Sequence, residues 1–197
     1  MTPTEDPTPA PPAITATSAG CIYGVLGILG WAGAVFILER SPLAIEGHEG
    51  SSMVWKVGLG AGVGLAVFGL DQLAERLIPL FARMSVAFRE LLGDLTAAQA
   101  IALAAFSSVG EELFFRGFLQ GWIGLIPASI LFGLLHIAPD RRLWPWPFLA
   151  IAMGFAFGFL FEYTGDLFAP VLAHFTINYF GLMALTRSQK HAAGPPM

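Results

Sequence analysis

The sequence predicts an all-α membrane protein, a polytopic bundle of about six transmembrane helices with one amphipathic helix on the membrane surface. Three observations carry that prediction. The 197 residues are 55% hydrophobic and only 12% charged, against about 25% charged in soluble domains, so the bilayer must serve as the solvent. Apolar runs close to the roughly 20 residues that cross a bilayer recur along the chain. Most of the charges fall between those runs or inside short motifs within them. The net charge of −4 offers no basic patch and excludes a nucleic-acid partner.

Residues 1–18 are rich in Pro, Thr and Ala and read as a disordered tail. One domain is expected over 19–186, followed by a short C-terminal tail at 187–197. The candidate spans are 20–38, 53–70, 96–119, 122–138, 148–163 and 167–185. Between the second and third, residues 71–92 place Leu73, Leu77, Leu80, Phe81, Met84, Phe88 and Leu91 three or four apart. Arg76, Arg83 and Arg89 interleave with acids, so this segment reads as an amphipathic surface helix kinked near Pro79. Residues 141–147 combine Arg141 and Arg142 with Trp144, Trp146 and two prolines, an interfacial loop with aromatic anchors.

With six crossings, one side collects Arg76, Arg83, Arg89, Arg141, Arg142, Arg187 and Lys190, and the other only Arg40 and Lys56. That asymmetry puts both termini in the cytoplasm. The setting this suggests is a bacterial inner (plasma) membrane. Glycines striped at 24, 27, 30 and 33, at 58 and 62, at 60 and 64, and at 154 and 158 read as sites of close helix packing. Cys21 is the single cysteine, so no internal disulfide is possible.

Strongly polar groups inside a membrane are costly, so each needs a reason. Here they form three clusters: Glu111, Glu112 and Arg116; Phe132 and His136; His174 and Asn178. Residues four apart share a helix face. Glu112 and Arg116 can therefore pair and neutralise each other, while Glu111 lies about 100° round the helix without that partner. His174 and Asn178 stand side by side on one helix, and the Phe132 ring packs near the His136 imidazole. Three helices converging on Glu111, His136, His174 and Asn178 suit hydrolysis. A carboxylate and imidazoles activate a water, and an amide donates to a developing oxyanion. Glu111, His136 and His174 are also a donor set for zinc, and the residue types leave the two mechanisms open. The soluble metalloprotease motif is absent: Ser52 stands where the second histidine after His48 and Glu49 would fall. Taken singly, the Glu112–Arg116 pair reads as structural, and His48 and His191 lie outside the spans.

The order Glu-Glu-x-x-x-Arg, Phe-x-x-x-His, His-x-x-x-Asn resembles the CPBP family of intramembrane endopeptidases, the CAAX-protease and bacteriocin-processing (Abi) group that includes the Rce1-type proteases. The resemblance covers 91–185. It implies a helical fold with a catalytic chamber open toward the cytoplasmic leaflet. It further implies that Glu111 is the water-activating base, that His136 is its partner, and that His174 and Asn178 hold water or the oxyanion. Glu112 and Arg116, with Phe132, support the site. The family has been described both as metalloproteases and as glutamate-type proteases, and the arrangement here favours the glutamate type. The expected substrate is a membrane-associated protein or peptide; prenylation is not implied. Two rival readings are a non-catalytic immunity or scaffold protein and a proton-coupled transporter. The transporter is disfavoured by the few spans and the lack of an inverted repeat.

Overall fold

The structure, a computed structural model, describes residues 16–47 and 52–192. The expected tail at 1–15, together with His48 and the side chain of His191, lies outside the described residues. Residues 16–18, assigned to the tail, instead begin the first helix.

The helices are α1 (Ala16–Phe36), α2 (Met53–Leu77), α3 (Pro79–Leu92), α4 (Ala97–Glu112), α5 (Gln120–Ile123), α6 (Leu125–Leu134), α7 (Trp146–Thr164) and α8 (Phe168–Ala192). A π-helical segment, Leu113–Leu119, joins α4 to α5 without a break. Among the described residues the only extended pairing is an isolated bridge between Ala44 and Asp166.

Local chemistry accounts for the boundaries. Ser52 caps α2 by accepting from the Trp55 N–H. Thr96 and Gln99 form a capping box at the start of α4. Proline disfavours helix at the residue before it, so α2 ends at Leu77 and Pro79 opens α3. The surface helix expected over 71–92 is therefore shorter: residues 71–77 continue α2. At its other end the bundle gains length, because α8 runs past the expected end at 185 to Ala192.

The count of about six spans is not confirmed by helix length and composition. Four helices, α1, α2, α7 and α8, are long and apolar enough to cross a membrane, and the pair of α3 with α4–α5, bent by 102°, allows a fifth. The segment expected over 122–138 yields only the 10 residues of α6, about 15 Å of helix against a hydrocarbon core of about 30 Å. Gly124, at φ 88°, breaks the helix before α6, and residues after Leu135 leave it. The chain nevertheless reverses there. Arg142, just before α7, reaches Glu90 on α3 at 2.5 Å. At the opposite end of α2, Lys56 pairs with Asp166, and Arg40 donates to the Gly117 carbonyl. The 25 residues of α2 separate these two ends.

Glycines set the closest approaches. On α1, Gly27, Gly30 and Gly33 press against Gly110, Phe114 and Phe118. On α2, Gly60 and Gly64 meet Ala169 and Thr176 of α8. Gly58, Gly62 and Gly24 have nothing within 4 Å and face outward, so half of the α2 pattern is not used in packing. Exposed Ile28, Phe36, Val54, Trp122 and Phe148 belong to an outer surface suited to lipid.

Candidate active site

Helices α4, α6, α7 and α8 enclose the polar residues. Arg116, on the π segment, is 1% exposed, and Glu112 is 0% exposed. The Arg116 Nη1 donates to Glu112 Oε1 at 3.0 Å, and Nη2 donates to the Gly154 carbonyl at 2.9 Å. The rings of Phe132 and Phe157 stand 4.6 and 5.4 Å from its guanidinium carbon. An isolated cation at this depth would be untenable; paired, bonded and faced by aromatic rings, it becomes a fixed part of the wall.

Glu112 has a second partner that spacing along one helix could not reveal. Its Oε1 lies 2.9 Å from His174 Nδ1 on α8. A carboxylate only accepts, so Nδ1 carries the proton. The His174 ring is also stacked on Phe157 at 4.9 Å. His136, just beyond the end of α6, is held in the same manner. Its Nδ1 lies 2.6 Å from the Phe132 carbonyl, which again assigns the proton to Nδ1. The Phe132 ring packs on it at 4.7 Å and Trp146 meets it edge-on at 5.0 Å.

Both histidines thus turn Nε2 inward. Glu111 Oε2 lies 3.9 Å from His136 Nε2 and 3.9 Å from His174 Nε2. That oxygen is buried and has no hydrogen-bond partner. Three acceptor atoms therefore face one small space, and an acceptor left bare in a low-dielectric site costs about 1–3 kcal/mol. The side chains of Glu111 and His174 are 7% and 6% exposed and His136 17%, so His136 is the most exposed of the three. Beyond it, Trp146 packs edge-on against Phe88 of α3 at 4.8 Å.

Asn178 does not bond the residues named above. Its Nδ2 donates to Ser107 Oγ on α4 at 2.9 Å. Glu111, His174 and Asn178 thus lie on the converging helices and His136 just past the end of α6; three face one another across Glu111 and the fourth joins through Ser107. Sequence reasoning missed Ser107, Phe157, Trp146 and the Gly154 carbonyl. Only Ser107 carried a signal, standing four residues before Glu111 on the same face of α4.

The donor set is right for zinc, and it stands wider than zinc ligands do. Ligands on a tetrahedral zinc with bonds of about 2.0 Å stand roughly 3.3 Å apart, less than the 3.9 Å found between Oε2 and each Nε2. Among the described residues no group of three His, Cys, Asp or Glu has metal-holding geometry.

Residues 93–180 match the sequence model of a family described as type II CAAX prenyl endopeptidase Rce1-like. That stretch contains every residue of the site. The chain is 41% identical over 78 residues to a protein of Bacillus subtilis (strain 168) named "Uncharacterized protein YpbD", covering 40% of this chain and 41% of that one. It is 30% identical over 145 residues to "Putative membrane peptidase YdiL" of the same organism, covering 66% of this chain and 55% of that one. The chain spans about half the length of the curated relatives it matches. No solved structure matches it.

Proposed function

Because residues 93–180 are Rce1-like in sequence, we propose that this membrane protein is an intramembrane endopeptidase whose base is Glu111. The observation that carries the reading is the bare Oε2 of Glu111 facing two imidazole Nε2 atoms at 3.9 Å each. A water in that space donates one hydrogen to Glu111 and the other to His136. As the water oxygen attacks the scissile carbonyl carbon, Glu111 takes its proton and then delivers it to the leaving amine. The carbonyl oxygen gains charge and is met by the remaining N–H of Asn178. His174, its Nδ1 held by Glu112, keeps Nε2 turned toward the water as an acceptor. No step passes through a metal. The substrate is a peptide bond of a membrane-associated protein or peptide, reached past His136.

Glu111→Gln keeps the volume and removes the basicity. The variant accumulates and inserts normally, and its activity falls at least ~100-fold. The assay is comparative membrane proteomics of cells expressing wild type or variant at matched levels, read as uncleaved protein that accumulates with the variant. Equal cleavage by both sinks the protease reading and favours a scaffold or immunity protein.

A further inference from the structure

We infer that Ser107 is a positioning residue for the peptidase reaction, acting through Asn178; this rests on the proposed function. Ser107 is 3% exposed, and its hydroxyl donates to the Ala104 carbonyl at 3.3 Å. With that proton committed, Oγ is left as an acceptor, and Asn178 Nδ2 fills it at 2.9 Å. A primary amide has two chemically opposite ends that differ little in shape. Ser107 distinguishes them, because only the nitrogen end can donate to an oxygen whose own proton is spent. The amide is thereby fixed with one N–H on Ser107 and the second N–H free for a carbonyl oxygen. In a water-poor site, the ordered run from N–H to O–H to C=O also polarises each member.

The same bond sets helix register. Ser107 and Glu111 are four apart on α4, and Asn178 and His174 are four apart on α8, in opposite directions. The two helices thus carry two rungs: Ser107 to Asn178 at 2.9 Å, and Glu111 to His174 at 3.9 Å. The first rung is a direct bond; the second is a gap that water must fill. Sliding α4 along α8 would break the bond and change the width of that gap.

The experiment uses full-length protein in bilayers. Its probe is a quenched fluorescent peptide spanning a cleavage site that accumulates uncleaved in cells expressing Glu111→Gln. Ser107→Ala lowers kcat roughly tenfold, as expected for losing one interhelical hydrogen bond inside a membrane. KM and abundance hold, and Tm falls by no more than one lost hydrogen bond accounts for. Ser107→Thr, which retains the hydroxyl, recovers most of the rate. In an Asn178→Ala background, Ser107→Ala has no further effect. The inference is overturned if Ser107→Ala turns over like wild type, if threonine fails to rescue, or if the two losses simply multiply. If wild type and Glu111→Gln are equally inactive in cells, the peptidase reading fails and this inference falls with it. If wild type cleaves and Glu111→Gln does not, the outcome at Ser107 is judged on its own.

Discussion

Glu112 and Arg116 are one ion pair by spacing, yet each has a second partner on another helix. Glu112 holds His174 Nδ1 and Arg116 holds the Gly154 carbonyl, so the pair ties α4 and the π segment to α8 and α7. Glu112→Gln should cost stability and activity together. It leaves Arg116 as an uncompensated buried cation, a loss of about 3–5 kcal/mol in soluble proteins, and it lets His174 protonate at either nitrogen. Thermal unfolding in detergent should show a lowered Tm and the peptide assay a lowered kcat. Full stability with full activity would break both arguments. Asn178→Ala should lose roughly 3 kcal/mol of oxyanion stabilisation, read as kcat. Zinc offers a separate check. The spacing around Glu111 leads us to expect activity that survives a strong chelator; its abolition, with one equivalent of zinc in the purified protein, would make Glu111, His136 and His174 ligands. Spacing made the converging set legible, because a polar group within an apolar run needs a partner. It could not show that Asn178 bonds Ser107 or that His174 bonds Glu112, since those contacts depend on the register of α4 against α8.

Among the elements, the π segment and α6 are where the sequence misleads most. Both lie in segments that read as spans by sequence, but the structure has a π-helical turn at Leu113–Leu119 and a break at Gly124. π segments are frequent at functional sites, and this one begins directly after Glu112. The shortness of α6 has a comparable consequence: the chain leaves helix next to His136. Backbone outside a helix is tolerated at membrane depth where protein or a water-filled cavity surrounds it. Glycine patterns were legible as packing, though not which of them pack. Gly154 and Gly58 test the difference. A Cβ at Gly154 would lie 2.9 Å from Ser129 Cα, backbone that cannot yield, and Gly154 is also the residue whose carbonyl holds Arg116. Gly154→Ala should therefore destabilise by about 1–3 kcal/mol and lower activity. At Gly58 nothing lies within 4 Å, so Gly58→Ala should be neutral or stabilise by up to about 1 kcal/mol through helix propensity. Equal Tm shifts for the two would remove the packing argument.

At the scale of the molecule, the question is which end faces the cytoplasm. One end gathers Arg76, Arg83, Arg89, Arg141 and Arg142, with α8 ending beside them at Ala192; the other holds Arg40 and Lys56. The ends are tied internally: Arg142 bonds Glu90 and Asp140 at one, and Lys56 bonds Asp166 at the other. These contacts do work that counting spanning helices cannot. Four or five helices have the required length, and an odd number of crossings would put the termini on opposite sides. The Arg142–Glu90 bond instead returns the chain after α6 to the end where α3 lies, so α1 begins and α8 finishes at the same end. The excess of arginine there supports the expectation that this end faces the cytoplasm. His136, the most exposed of the three, lies toward that end as well, since it touches Trp146, and Trp146 touches Phe88 on α3. A substrate would then approach from the cytoplasmic leaflet. A reporter fused after Gln189 should behave as cytoplasmic, and a cysteine introduced at Ser41, in the loop before α2, should react with a membrane-impermeant thiol reagent added from outside. Cys21, exposed on α1, must first be replaced by alanine. A C-terminal reporter that is active only outside the membrane would mean that residues 125–140 do not return the chain to the side of α3.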